Sequence, residues 1–271
     1  DYQYYLRSAG LISQTYFGTG NGMSFLVSRP SFIFGMRGPN VALDTACSSS
    51  MVALNLAMSH MNTNQDSTSS LVGGTQLMLL PDTFHTLDSL KALSNDGRCK
   101  TLDDEADGYG RGEAFGLLHV VYSTAISAHR VIGCDVNQDG RSSTFTAPNG
   151  PSQQRLIQCT MVHQVELTGD IYHISLHGTG TSLGDSIEVN SVSECTRSFK
   201  NVEIAAAKSI FNHTEGSAGI VNILDSVMCS EYAFTTGVRL CRNVNQYLKS
   251  IVNKNASISR ASKFLPGNNN Y

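Results

Sequence analysis

The sequence has no excess of basic charge: 19 Lys and Arg stand against 22 Asp and Glu, a formal net charge of -3, and only 15% of its 271 residues are charged. With no basic surface to neutralise phosphates, nucleic acid and anionic membrane are excluded as partners, and small molecules or other proteins are left. No apolar run approaches the roughly 20 residues of a membrane-spanning helix. The first residues, Asp1-Tyr2-Gln3-Tyr4-Tyr5, do not have the form of a signal peptide. The seven cysteines (47, 99, 134, 159, 195, 229 and 241) never form a Cys-x-x-Cys pair and are odd in number. That pattern fits a reducing compartment without structural zinc, so a cytoplasmic chain is expected. Gly18-Thr19-Gly20-Asn21-Gly22 reads as a loop but lacks the Lys-Ser or Lys-Thr of a phosphate cradle. Asp103, Asp104, Glu105 and Asp107 lack the spacing of a calcium loop and read as solvated turns. An initiator Met is also missing, and a fragment of a longer protein is expected.

What is present centres on residues 38–60. Val41-Ala42-Leu43 reads as a short buried strand, and Ser48 to His60, apolar at 51, 52, 54, 56 and 58, as a helix packed on both sides. Cys47 falls on the turn between them. There the unpaired N–H groups and positive dipole end of the helix favour a nucleophilic thiolate. On position alone the alternative stays open that Cys47 is one more small buried apolar residue.

The rest of the chain alternates strands, helices and Gly-rich turns, at a length that allows one large domain or two modest ones. Met23 to Phe34 is an apolar segment interrupted by Pro30, which suits a first helical turn and not a helix interior. Leu71 to Leu80 reads as a strand with a close backbone approach at Gly73-Gly74, Phe115 to Tyr122 as a buried strand, and Ser123 to Arg130 as a short helix. A loop through Pro148-Asn149-Gly150-Pro151 leads into a helix over Leu156 to Val165.

Two histidines stand apart from the rest. Strand 171–176 ends in His177-Gly178-Thr179-Gly180-Thr181, ahead of a helix whose Asp185 and Glu188 have a capping spacing. Strand 202–207 ends in a second loop, Lys208 to Gly216, which holds His213 ahead of a helix over Ala218 to Met228. Loops at strand ends are where open α/β sheets bind ligands. His60, His85, His119, His129, His163 and His173 read as ordinary satisfied polar groups. Zinc held by Cys47, His177 and His213 is a rival use of the same residues, against which the missing close-spaced ligand pair weighs.

Asp44-Thr45-Ala46-Cys47-Ser48-Ser49-Ser50, His177-Gly178-Thr179-Gly180-Thr181 and Lys208 with His213-Thr214-Glu215-Gly216 resemble, in order, the three signature motifs of beta-ketoacyl synthases, specifically the ketosynthase domains of polyketide synthases. With the phrases between them, the resemblance extends over most of residues 35–245. It implies an α/β, thiolase-like five-layered αβαβα fold, incomplete at both ends. A nucleophile half would cover about 1–130 and a two-histidine half about 131–245, with 246–271 a poorly ordered polar tail. The implied reaction is decarboxylative Claisen condensation of a malonyl-type thioester with an acyl chain on Cys47. His177 and His213 would be catalytic, Thr179 and Thr181 would bind substrate, and Lys208 would support His213. The resemblance carries no bound cofactor or metal. Substrates ride on the phosphopantetheine of an acyl carrier protein, and the expected partners are that carrier, neighbouring domains such as an acyltransferase, and a second copy in a homodimer through the strand beside the cysteine.

Several positions depart from the family pattern. Pro30 replaces an aliphatic residue. Asn212 stands where a glycine is usual, so it is expected to shift His213. Leu176 replaces a small residue and is expected to narrow the pocket. The C-terminal Gly-Phe-Gly-Gly loop, which supplies an oxyanion-hole N–H, is absent. These departures support a second expectation, a catalytically silent module that binds carriers or partner proteins. A thiolase, which needs a second cysteine as base, ranks last.

Overall fold

The computed structural model describes residues 2–12, 15–64, 66–125, 127, 129–162, 171–252 and 256–264. The chain opens on three helices, α1 (Tyr2–Ser8), α2 (Phe17–Asn21) and α3 (Met23–Phe34). Most of the expected 18–22 loop is therefore helical. Gly20 N–H donates to Tyr16 O at 2.8 Å and the Asn21 amide to Phe17 O at 2.7 Å, local bonds that hold one turn in spite of the glycines. Pro30 lies inside α3, not at its first turn. No residue of that helix is buried, so the hydrogen bond forfeited at proline is lost at the surface.

Val41 to Leu43 forms no strand. No described strand runs beside it, and Val41 is 59% exposed, so the apolar pattern there finds no ladder partner. A 3₁₀ turn over Ala46–Ser48 leads into α4 (Ser49–Thr63). This helix buries Ser50, Leu54 and Met61 but leaves Leu56 exposed, which is packing on one side instead of two.

β1 (Ser69–Gln76) and β2 (Ala114–Val121) pair antiparallel, Ser69 opposite Val121 and Gln76 opposite Ala114, with α5 (Asp82–Ser89) in the connection. Their even-numbered residues face inward, as period-two geometry requires. A Cβ on Gly74 would stand 2.9 Å from Gly216 O, which is the close approach expected of this glycine pair. Of the expected 123–130 helix, residues 123–125, 127 and 129–130 are described and none is helical. A segment this short is a marginal helix unless tertiary packing supports it. α6 (Gly150–Val162) begins earlier than expected, because Asn149 Oδ1 accepts the Ser152 N–H at 3.2 Å and Pro151 suits the first turn. Residues 163–165 of the expected helix, His163 included, lie outside the described residues.

The remaining elements are β3 (His173–Ser175), α7 (Ser182–Cys195), β4 (Val202–Ala205), α8 (Lys208–Phe211), α9 (Ala218–Glu231), β5 (Phe234–Thr235), α10 (Gln246–Ile251), β6 (Ala256–Ile258) and β7 (Lys263–Phe264). Strands β3, β4 and β6 form a parallel sheet in that order, and β5 pairs antiparallel with β7. Of the segment expected as a poorly ordered tail, the described residues 246–252 and 256–264 carry α10, β6 and β7, and 253–255 and 265–271 lie outside the described residues. Leu248 is fully buried, and Ile258 packs against the same core as Leu176, Val189, Val192 and Ile204.

Four layers follow in order: the β1–β2 sheet, α4 with α9, the β3–β4–β6 sheet, and α7 with α6 and α10. On β3, Ile174 joins the α7-side core while His173 turns to the α9 side. The outward face of β2, where a fifth layer would lie, exposes Phe115, Leu117 and Val121.

Candidate active site

The turn before α4 is built from short polar side chains. Ala46 takes φ 54°, its N–H donates to Asp44 Oδ1 at 2.9 Å, the Thr45 N–H donates to Ser49 Oγ at 2.9 Å, and the Ser48 hydroxyl donates to Thr45 O at 2.8 Å. These bonds satisfy the backbone of a tight bend and leave Cys47 half-buried at the N-terminal end of the helix.

His213, almost fully buried, brings Nε2 to 3.1 Å from Cys47 Sγ. The Glu215 N–H donates to His213 Nδ1 at 3.2 Å, so Nδ1 is the acceptor and the ring proton of the neutral imidazole sits on Nε2. His213 therefore donates toward the sulfur. His177 stands edge-on to it, ring centroids 5.3 Å apart at 90°. His177 is exposed to solvent, yet many protein atoms lie around it.

Electrostatics keep both rings neutral. Burial first, then the charges of Lys208 and Arg111, push His213 down to about 3. Burial, Lys208 and His213 hold His177 well below the ordinary histidine range. Lys208, at the start of α8 and 3% exposed, is lowered by burial and raised in part by Glu188 and Cys47. Cys47 corrects the expectation of a favoured thiolate. Burial raises its thiol, and this outweighs the lowering by Lys208 and by its backbone hydrogen bond.

The 177–181 loop is held from beneath. Glu188 accepts the N–H groups of His177 and Gly178 at 2.6 and 2.9 Å, and Asp185 accepts those of Leu102 and Gly180 at 2.8 and 3.1 Å. The cap of α7 is Thr181, so these carboxylates tie the loop instead of starting the helix as expected. Gly180 has φ 77°, and a Cβ there would lie 2.7 Å from Lys100 N, so only glycine fits. The hydroxyls of Thr179 and Thr181 are 3.1 Å apart on the same loop.

Two departures resolve differently from expectation. Leu176 turns into the main core and does not narrow the site. Asn212 accepts φ 61°, ψ -172°, and its side chain donates to Gly97 O at 3.1 Å and accepts the Cys99 N–H at 3.4 Å, so His213 keeps its place beside Cys47.

Sequence reasoning missed the segment that braces His213. Tyr109 lies edge-on to the His213 ring at 5.1 Å, His213 N–H donates to Gly110 O at 2.8 Å, and Arg111 Nε pairs with Glu215 Oε1 at 2.9 Å. The glycines and charges of 106–113 read as turns and resembled a ketosynthase stretch, but gave none of its residues a role at the site. The sulfur and two ring nitrogens of Cys47, His177 and His213 also lie within 4.8 Å of one another. A cation there would have to displace the Nε2 proton that His213 directs at the sulfur.

Comparison with known proteins agrees with this geometry. Residues 1–122 match the model of the beta-ketoacyl synthase N-terminal domain and residues 129–236 that of its C-terminal domain. The chain is 38% identical over 240 residues to a phenolphthiocerol/phthiocerol polyketide synthase of Mycobacterium tuberculosis, covering 84% of this chain and 11% of the relative. It is 37% identical to the pikromycin polyketide synthase component PikAII of Streptomyces venezuelae, covering 85% of this chain and 6% of the relative. Among solved structures, the ketosynthase from module 6 of the bacillaene synthase of Bacillus subtilis superposes with a TM-score of 0.86 at 26% identity, over 93% of this chain and 46% of that one. An oxazolomycin ketosynthase domain of Streptomyces albus gives 0.85 at 26% identity, over 97% and 47%. The chain thus spans about half the length of the solved ketosynthases it matches, and its fold is thiolase-like. Matched in both its N-terminal and C-terminal parts, the chain belongs to the beta-ketoacyl synthase family.

Proposed function

We propose that this chain is part of a polyketide-type ketosynthase that joins a malonyl-type thioester to an acyl group on Cys47 with loss of carbon dioxide. The observation that carries this reading is the 3.1 Å approach of a proton-bearing His213 Nε2 to Cys47 Sγ, with His177 edge-on to the same ring. Cys47 Sγ attacks the carbonyl of an acyl phosphopantetheine thioester and keeps the acyl group, and its proton leaves with the pantetheine thiol. A malonyl-type thioester then loses carbon dioxide, and its carbon attacks the acyl-cysteine, releasing the Cys47 thiolate. Neutral His213 and His177 are the N–H donors for the enolate oxygen, a role in which each donor typically contributes a few kcal/mol. Thr179 and Thr181 hold the pantetheine arm, and Lys208 sets the potential around the three groups. No cofactor need be bound. The partners are an acyl carrier protein, neighbouring domains such as an acyltransferase, and a second copy of the chain, in the cytoplasm. No described helix is long and apolar enough to cross a membrane.

The test is intact-protein mass spectrometry after incubation with an acyl phosphopantetheine thioester. An acyl adduct is expected, and it is expected to disappear in Cys47→Ala. His177→Ala and His213→Ala should each slow malonyl decarboxylation by about 10²–10³-fold, the usual cost of one oxyanion donor. Absence of an adduct on folded protein rejects the condensing enzyme for this chain and leaves a carrier-binding module.

A further inference from the structure

A second cluster lies on the far side of the same elements. His173 on β3 and Asp225 with Cys229 on α9 bring a ring nitrogen, a carboxylate oxygen and a sulfur within 4.8 Å of one another. Asp225 and Cys229 are four residues apart and share a helix face. Asp225 is 8% exposed and Cys229 1%. His173 Nε2 is buried with no hydrogen-bond partner, while His173 Nδ1 lies 3.4 Å from Thr235 Oγ1. Among the described residues no hydrogen bond joins His173 to Asp225 or Cys229. A buried ring nitrogen without a partner, on a histidine that stands beside a buried carboxyl and thiol, is a costly arrangement for a packed interface.

We propose that His173, Asp225 and Cys229 form a zinc site that clamps β3 to α9. The donor set of imidazole, carboxylate and thiolate is one that zinc takes. Zinc would replace the thiol proton, and any proton on the carboxyl, which leave to solvent. The dication then balances one thiolate and one carboxylate, so the buried cluster is neutral. Tetrahedral zinc spaces its ligand atoms by roughly 3.3–3.8 Å, so atoms that lie within 4.8 Å of one another need to close by at most about 1.5 Å. The outer partners are in place: Thr235 Oγ1 can accept the Nδ1–H and orient the ring for binding through Nε2, and the Thr236 hydroxyl donates to Asp225 Oδ2 at 3.3 Å. The fourth position falls to water or a threonine hydroxyl. The clamp has a consequence for the catalytic loops. His173 is four residues before His177, and α9 follows the turn that holds His213, so one ion would fix the two elements that carry the histidines.

The experiment uses Cys47→Ala protein, which removes sulfur from the other cysteine–histidine cluster, and probes it with Co²⁺ and Zn²⁺ alone. One equivalent of Co²⁺ with a thiolate charge-transfer band is expected. The band should vanish on adding Cys229→Ser, and His173→Gln should weaken binding by about tenfold or more. Zn²⁺ should raise the thermal midpoint of Cys47→Ala protein, leave the double variant with Cys229→Ser unmoved, and raise that of the double variant with His173→Gln by less. A missing band, or one that survives Cys229→Ser, overturns the site. Should Cys229→Ser fail to fold, His173→Gln decides alone, since an unchanged affinity there overturns the proposal too.

Discussion

Asn212 holds a backbone conformation that disfavours any side chain, and its energetics can be argued from two opposing terms. A side chain at φ 61°, ψ -172° sits where essentially only glycine is comfortable, at a cost of roughly 1–3 kcal/mol. Its bonds to Gly97 O and the Cys99 N–H offset part of that, at roughly 0.5–1.5 kcal/mol each and less for the longer one. Asn212→Ala keeps the strain and loses both bonds, so it should destabilise by about 1–2 kcal/mol. Asn212→Gly loses the bonds but relieves the strain, so it should stay within about 1 kcal/mol of the parent. Urea melts of the three proteins check this, and an alanine variant as stable as the parent would show that the bonds contribute nothing. Beside it, His213 links stability to pH. Its folded pKa is lowered to about 3 from an ordinary 6.5, so below 6.5 the unfolded chain binds a proton that the folded chain refuses. The lowered histidine therefore costs nothing well above 6.5, and stability is lost as pH falls toward 3, at roughly 1.4 kcal/mol per pH unit. Between about pH 7 and pH 5 the parent should lose about 2 kcal/mol more than His213→Gln. Equal losses in parallel melts would place the His213 pKa near its ordinary value.

At the scale of elements, the sequence was most legible where apolar periodicity coincided with real partners. β1, β2, β4, α4 and α9 lie within a few residues of where their patterns placed them, because each has a neighbour that uses its apolar face. The site was legible in part for the same reason. His177 lies in the Gly-rich loop that follows β3, His213 lies beyond β4 and the short helix α8 that occupies the first part of the expected 208–216 loop, and Cys47 sits in a polar turn with no described strand before it. Beyond the 123–130 segment, periodicity failed for reasons that can be named. Val41 to Leu43 has the composition of a strand and no ladder beside it, and the burial of such a segment is not written in its own residues. α2 is held by local bonds from Gly20 and Asn21 that compete well with the loop tendency of glycine when no packing decides the matter. The polar run after Asn245 hides one fully buried anchor, Leu248, with Ile251, Val252, Ala256 and Ile258 packed against the same core, and β6 pairs with the edge that β4 offers. The bracing of His213 by Tyr109 and Arg111 was invisible for another reason. Those residues are some hundred positions from the histidine, and only the tertiary fold makes them neighbours.

The whole molecule is a packed site with unpacked flanks. Around Cys47 and His213 the second half is dense, and Ile204, Ala206 and Ile220 are fully buried. Elsewhere Val41, Phe32 and Phe34 stand exposed at 59%, 90% and 73%, and β2 presents Phe115 at 75%. Exposed apolar surface on this scale is where the second copy proposed above would pack. Two seams compete, and they make different demands. Residues 38–45 lead directly into the Cys47 turn and have no described strand beside them, so an antiparallel copy of the same segment would supply the missing ladder and bury Val41 in both chains by twofold symmetry. The outer face of β2 has its ladder already and offers only side chains. If the homodimer proposed here forms through the first seam, Val41→Asp places two like charges close together across the axis and should convert dimer to monomer in sedimentation velocity, with the far-ultraviolet spectrum unchanged. Phe115→Lys should leave the dimer intact. The reverse pattern would move the seam to β2, and a parent chain that sediments as a monomer would remove the homodimer. The Cys47 turn gives the first seam its functional weight. Ala46 is held at φ 54° by its own polar contacts, and a ladder formed just upstream would hold the same turn from the other side. Acylation of Cys47 should therefore fall together with dimerisation in Val41→Asp and be spared in Phe115→Lys.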